Sequence, residues 1–480
     1  MEDINTMSEE QKQMALSNSN LVLTAYCQIP YALINQEMQG KDTQGLMEEL
    51  NQIQKYYNSY GSGVQFFPEG SNGDYVPADL RFKMVYSLIN KEARFLFAEA
   101  PDISVNTSGD RDATSDEVKD QIDKLNIMLT KIFDENVFED ALLKAAKDCF
   151  IGKRVAGLVN FNEEDGVTIQ FLTSTQFIYE TKPGNPNKLT KFVAFIIMEE
   201  SKHKKATKIF KKKYEVIDDV VYLTEEIYDG AGAMIEEVTP TRKVDIDFIP
   251  VVIFINDGLT SDTNGVSEIN ALEGFEQWYS KLSNADADAE RKGMNPVKYA
   301  IDMEGNSTKG LSTSAGSFWD LQTDQNLENA HTSVGILESS MNYSNALKTT
   351  LDRIKTTAYE AVDVPNISLE TLQGSITSGK ALKAIYWPLI VRCKEKMKMW
   401  GPKLKVLIDF IIKGAYAFPE CITNYSDEPL VPVDYEINIE QNLPLPEDEE
   451  EEKVIDTNAI ARSYRRAVET AYKAVMKPKE

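Results

Sequence analysis

Gly374-Ser-Ile-Thr-Ser-Gly379-Lys380 has the spacing of a phosphate-binding loop, in which backbone N–H groups cradle phosphate and the lysine reaches the outer phosphoryl oxygens. The next position, where a Ser or Thr hydroxyl would hold magnesium, is Ala381. Such a loop should also follow a buried strand, whereas Asn366–Gln373 is polar with three apolar positions. No later apolar strand ends in an aspartate suited to magnesium. An ATPase using Lys380, such as a packaging motor subunit, is therefore the second reading. Other chemistry is thinner still. The two histidines, His203 and His331, stand in unrelated contexts, and Cys27, Cys149, Cys393 and Cys421 show no CxxC spacing. Neither a zinc site nor a Ser-His-Asp or Cys-His arrangement is supported. Paired carboxylates carry no weight among 76 acids. The expectation is a non-enzymatic protein with no catalytic residues, no metal and no cofactor.

A chain of 480 residues has room for two to four domains, and its 42% apolar and 26% charged residues describe a folded protein. The net charge of −25 argues against a nucleic-acid reader with a basic face. It leaves room for a protein that handles DNA without gripping it. Met1–Lys12 is acidic and polar, and the longest apolar runs, such as Val406–Ile412, fall short of the ~20 residues a bilayer span needs. Neither secretion nor membrane insertion is expected, and the thiols should be reduced, as in a cytoplasm.

The first 75 residues are largely polar, so regular structure is expected to begin with a helix over Ala78–Ala100, followed by helices at Lys119–Phe133 and Val137–Phe150. The period then changes. Val167–Leu172, Phe192–Met198, Tyr214–Val216, Val220–Glu225 and Val251–Ile255 have the length and composition of strands, giving an α+β layout. Lys202–Lys213 reads as a solvated hairpin edge or, alternatively, a binding patch. A long helix over about 266–292 and a second over about 338–362 bracket a small β insertion with strands at Val297–Ile301 and Ser317–Leu321. A third long helix, about 378–415, should kink at Pro388 and Gly401-Pro402. It carries nine basic residues (Lys380, Lys383, Arg392, Lys394, Lys396, Lys398, Lys403, Lys405 and Lys413) against Glu395 and Asp409. A strand at Tyr435–Ile439, six acids at Glu447–Glu452 and a helix at Val454–Val475 follow.

Three stretches resemble the portal proteins of tailed bacteriophages, in particular long-tailed phages of Gram-positive bacteria. Gly374–Trp387 resembles the tunnel loop and the start of the wing helix. Ile249-Pro-Val-Val-Ile-Phe-Ile-Asn256, then Asn264-Gly-Val-Ser-Glu-Ile269 with Tyr279, Asn284 and Asn295-Pro296, is similar to the entry and end of the first stem helix. Asp434–Glu447 is similar to the strand and proline exit after the wing helix.

The resemblance implies a portal fold: a wing (1–262, with 380–450 as the long kinked wing helix and strand), a two-helix stem (263–292 and 338–362), a small β-containing clip (293–337), a tunnel loop (363–379) and a crown or C-terminal helix (451–480). It also implies a homo-oligomeric ring, usually of twelve subunits, at one capsid vertex of the virion. The ring would be assembled in the host cytoplasm and would pass double-stranded DNA without sequence readout during packaging and ejection. Implied partners are the terminase large subunit, the head–tail adaptor, and the major capsid and scaffolding proteins. Gln373, Ser375 and Thr377 would then line the DNA channel, unless they belong to an ordinary surface loop. Lys348, Arg353 and Lys355 would face the channel or be neutralised by acids of a neighbouring subunit. Phe318 and Trp319 would contact partners at the clip or fill its core. The wing-helix lysines would meet acidic surfaces of the next subunit, including Glu447–Glu452, or approach packaged DNA.

Overall fold

The computed structural model describes residues 31–38, 43–62, 78–108, 115–198, 208–256, 264–294, 297–301, 333–337, 342–366, 379–426 and 429–444. The fold is α+β, and the chain divides into two compact units. The first comprises 1–61, 84–272 and 359–480; the second comprises 62–83 and 273–358.

Two helices of the first unit, α1 (Tyr31–Met38) and α2 (Thr43–Ser62), lie within the stretch expected to be irregular. Leu33, Ile34, Leu50 and Ile53 bury an apolar face whose intervening positions are polar. Overall polarity concealed the 3.6-residue stripe. Next come α3 (Met84–Phe97), β1 (Asp102–Thr107), α4 (Asp116–Glu135) and α5 (Phe138–Gly152). Ser115 caps α4 by accepting from the Val118 N–H at 3.4 Å, and Asp116 and Glu117 favour the positive end of its dipole.

Eight strands follow: β2 (Arg154–Asn162), β3 (Gly166–Thr173), β4 (Phe177–Lys182), β5 (Asn185–Met198), β6 (Lys208–Ile217), β7 (Val220–Asp229), β8 (Met234–Lys243) and β9 (Val251–Ile255). They form an antiparallel three-stranded sheet, order β3-β2-β9, and an antiparallel five-stranded sheet, order β4-β5-β6-β7-β8. The alternation along β5 makes the layers legible. Phe192 and Ala194 join Leu158, Val251 and Ile253 in a core between the sheets, while Val193 and Phe195 join Leu33, Ile34 and Leu50 on the opposite face. The five-stranded sheet is covered on both faces along β5, which is why that strand reads as a continuous apolar run over Phe192–Met198.

That position also corrects the hairpin edge expected at Lys202–Lys213, of which residues 208–213 are described. β6 is paired on both sides, by β5 and β7. Its lysines are internal partners: Lys211 is buried and bridges Glu37 of α1 and Glu226 of β7, and Lys212 pairs with Glu225 at 3.1 Å.

The remaining elements of the first unit are α8 (Gly379–Ile385), α9 (Trp387–Ala417), a 3-10 turn (Pro419–Ile422) and β12 (Tyr435–Glu440), which pairs antiparallel with β1. The single long helix expected from 378 to 415 is divided, with α9 restarting after Tyr386 and Pro388 in its first turn. Proline is at home there because its missing N–H would have no partner in a first turn. The helix runs on through Gly401 and Pro402. Trp400, fully buried, packs between Phe97 and Phe254, with ring centroids 5.2 and 4.6 Å away.

Cys149, Cys393 and Cys421 are free and buried, and burial pushes the Cys393 thiol up to about 12. These are inert core thiols. A titrating group lies beside Cys149. Tyr57 of α2 donates to Asp148 Oδ1 of α5 at 3.0 Å, but burial outweighs this bond and pushes the carboxyl up to about 6. A carboxylate raised in the folded state contributes stability below its unfolded value, and that contribution is lost as pH rises through about 6. Asp148→Asn keeps an acceptor for Tyr57, so it should stabilise the protein at pH 7.5 by about 1–2 kcal/mol and have no effect near pH 4. Thermal melts across that range check it.

In the second unit, α6 (Ile269–Met294, from residue 273 on) packs against the segment 78–83. Asn284 accepts from the Leu80 N–H at 2.6 Å and donates to the Leu80 carbonyl at 3.0 Å, and Phe82 meets Tyr279 edge-on at 4.9 Å. Antiparallel β10 (Val297–Ile301) and β11 (Ser333–Leu337) and the helix α7 (Ser344–Glu360) complete what is described. The expected strand at Ser317–Leu321 and the helix at Val454–Val475 lie outside the described residues.

Candidate functional site

Helix α9 buries Leu389, Cys393, Trp400, Leu404, Leu407 and Ile411 along one face, and Lys396 sits in the middle of that stripe, buried. On α3 the apolar series Val85, Leu88, Ile89 and Leu96 is likewise broken by Glu92, which has no exposed surface. Charges at core positions are costly unless paired and hydrogen-bonded. These two charges meet.

Lys396 Nζ lies 2.7 Å from Glu268 Oε1 and 3.3 Å from Glu92 Oε1, donates to Asn256 Oδ1 at 2.8 Å, and sits 4.1 Å from the centre of the Phe150 ring. Arg392, one turn earlier, donates through Nε to Glu92 at 2.7 Å and through Nη2 to Glu268 at 2.6 Å. Its Nη1 lies 3.6 Å from Asp363 Oδ2. Asn256 donates to Glu268 Oε1 at 3.2 Å and to the Val266 carbonyl at 2.7 Å. The cluster therefore ties together α3, the end of β9, the head of α6, the turn after α7 and the first half of α9.

The electrostatics follow from the pairing. Burial pushes Glu268 up, but Lys396 and Arg392 outweigh it and hold the carboxyl below its ordinary value. Glu92 goes the other way: complete burial, reinforced by the negative charge of Glu268, prevails over both cations. Burial alone would lower Lys396, yet Glu92 and Glu268 raise it. Glu92 Oε2 has no hydrogen-bond partner among the described residues. Two cations and two buried carboxylates, with Asp363 at the rim, make a structural clamp. Among the described residues no group of His, Cys, Asp and Glu could hold a metal ion.

The head of α6 shows why Asn264-Gly-Val-Ser-Glu-Ile269 has these residues. Gly265 sits at φ +76, with the Lys153 and Asn256 carbonyls where a Cβ would stand. Ser267 Oγ donates to the Ile151 carbonyl at 2.6 Å and accepts from the Ile269 N–H at 3.2 Å. Glu268 enters the clamp, and Ile269 is buried. Asp363, at φ 54, lies just before residues 367–378, and α8 begins directly after them.

Of the residues singled out in the sequence, Gln373, Ser375, Thr377, Phe318 and Trp319 lie outside the described residues. Lys380 falls in the first turn of α8, and the described element before it in the chain is the helix α7 rather than a strand. Lys348, Arg353 and Lys355 are exposed on α7, and no carboxylate pairs with them among the described residues. At 100° per residue, Lys348 and Lys355 share a face while Arg353 projects from nearly the opposite one. A single face of α7 therefore presents Lys348 and Lys355 together but not Arg353. Arg392 and Lys396 were legible in the sequence only as members of a basic helix. The missed signal was register, since both Lys396 and Glu92 occupy positions that the apolar period assigns to the core.

A family model described as phage portal protein, SPP1 Gp6-like, matches residues 40–460. No match was found among curated proteins.

Proposed function

The chain belongs to the SPP1 Gp6-like family of phage portal proteins, and we propose that it forms a ring at one capsid vertex through which double-stranded DNA is packaged and ejected. The family match over most of the chain carries this reading. The clamp supports it, because it braces the segments that the resemblance assigns to stem, tunnel loop and wing. On this reading Asp363–Arg392 anchors one end of the tunnel loop, and Gln373, Ser375 and Thr377 line the narrowest part of the duct.

A duct must let DNA slide. Cationic walls bind DNA tightly through counterion release, and a ring of twelve such chains carries a formal charge of about −300. Lys348 and Lys355, on one face of α7, would supply a weak positive ring against that background, with Arg353 turned toward a neighbour. The protein performs no chemistry itself. The terminase large subunit and later the head–tail adaptor dock at the clip, through Phe318 and Trp319, and the major capsid and scaffolding proteins surround the wing. Among the described residues no helix is long and apolar enough to cross a membrane.

Negative-stain electron microscopy of the purified protein tests the proposal. Rings with a central hole wide enough for duplex DNA are expected. Compact particles without a hole, binding nucleotide in a way that Lys380→Ala abolishes, would replace the portal reading with that of an ATPase.

A further inference from the structure

The face of α9 opposite its buried stripe is not a plain solvated face. Trp387, Val391, Lys394, Lys398 and Lys405 fall within an arc of about 60° at 100° per residue. All five are exposed, Trp387 at 60%. Among the described residues no carboxylate pairs with Lys394, Lys398 or Lys405. Of the acids on this side of α9, Glu395 lies at the edge of the stripe, and Asp409, within it, is engaged by Lys413 and the Tyr435 hydroxyl, each at 2.8 Å. Cations interleaved with a large exposed aromatic and an aliphatic side chain suit a protein partner. A surface that only tracks phosphates would not need to leave Trp387 and Val391 in water.

A complementary face exists on the same unit. Helix α4 exposes Asp116, Asp120, Asp123, Ile127 and Asp134 along one side, with Ile127 55% exposed. Asp116 and Asp120 are engaged by Lys119 and Lys124. Asp123 and Asp134 have no cation partner among the described residues. They stand eleven positions apart, as do Lys394 and Lys405, which puts each pair about 16 Å apart along its helix. One face is acidic and the other basic, on a chain whose net charge of −25 otherwise opposes self-association.

From this complementarity we propose that the exposed face of α9 docks onto the exposed face of α4 of a neighbouring copy of this chain. Trp387 and Val391 pack against Ile127, and the lysines meet Asp123 and Asp134. Two different patches on each copy make a head-to-tail contact, the kind that closes into a ring when the rotation allows. The inference rests on the ring reading given above and names the surfaces that would join its subunits.

The test is a charge swap on the full chain, read by mass photometry across a concentration series, with retention of a non-specific DNA duplex measured in parallel. Lys394→Glu with Lys405→Glu, or Asp123→Lys with Asp134→Lys, should each raise the concentration for half-assembly roughly tenfold or more. All four substitutions together should restore assembly toward that of the unaltered protein. Melting temperatures should stay close throughout, because all four side chains are exposed. Rings that tolerate either pair unchanged, or a fourfold variant that assembles no better than the pairs, would overturn the proposal. Unchanged rings with weakened DNA retention would assign the α9 face to DNA instead. An unaltered protein that never assembles would overturn the ring reading and this contact with it.

Discussion

Lys396→Met should destabilise the first unit by about 3–5 kcal/mol, one of the largest losses expected from replacing any charged residue of the chain. Methionine matches the aliphatic stem and fills the same space, so no cavity accounts for the loss. What remains is an electrostatic imbalance. Glu268 loses its 2.7 Å partner, Glu92 its 3.3 Å partner, and Asn256 Oδ1 its donor. Among the described residues Arg392 is then the only cation facing two buried carboxylates. One of these, Glu92, already has a raised pKa with the lysine in place.

The pH dependence separates this cause from a packing defect. With Lys396 gone, a carboxylate of the cluster should titrate higher in the folded state than in the unfolded chain. Its contribution is then favourable at low pH and lost as pH rises through the folded value. The gap between variant and unaltered protein should therefore narrow as pH falls from 8 to 5, whereas a packing loss would stay constant. Adding Glu92→Gln to Lys396→Met removes the surplus negative charge and should recover more than half of the loss. Urea unfolding of the three proteins at several pH values reads all of this. A pH-independent gap would mean that the cluster's charges are not what holds α9 to the head of α6.

The parts of the fold that were legible in the sequence are those in which local pattern and tertiary role agree. Val251–Ile255 has the bounds expected of it, and α4 to α6 lie within about three residues of their expected positions because apolar period and breakers coincide. The losses have physical causes. β2 contains Gly157, whose close approach to Phe254 and Phe171 dilutes its strand composition, and β8 is exposed at nearly every position, so it carries no apolar alternation. α1 and α2 have too few apolar residues to stand out until the sheet they cover is known.

The candidate site was less legible than the fold. Its chemistry comes from five segments distant in sequence, and a lysine in a list of nine basic residues does not announce that it is buried. The passage Asn264–Ile269 was singled out by resemblance alone. Its contacts now give each of its last five residues a physical role.

That account makes Gly265→Ala a sharp test. A residue at φ +76 costs about 1 kcal/mol for any side chain but glycine's, and here the strain is compounded. The new Cβ would stand 2.6 Å from the Lys153 carbonyl oxygen and 2.7 Å from that of Asn256. Neither oxygen can yield cheaply, since the first accepts the Asn256 N–H at 2.7 Å and the second the Val266 N–H at 3.0 Å. Moving them apart loosens Asn256, and with it the donor that orients Glu268 toward Lys396. A total loss of about 3 kcal/mol is expected, shared between the turn and the clamp. Gly274, nine residues on and inside α6, should behave in the opposite way. A Cβ there meets nothing within 4 Å, so Gly274→Ala should add about 0.5–1 kcal/mol through helix propensity. Thermal melts of the two variants beside the unaltered protein decide the matter. If both substitutions shift stability in the same direction, the turn at Gly265 is not the constraint that sets the head of α6.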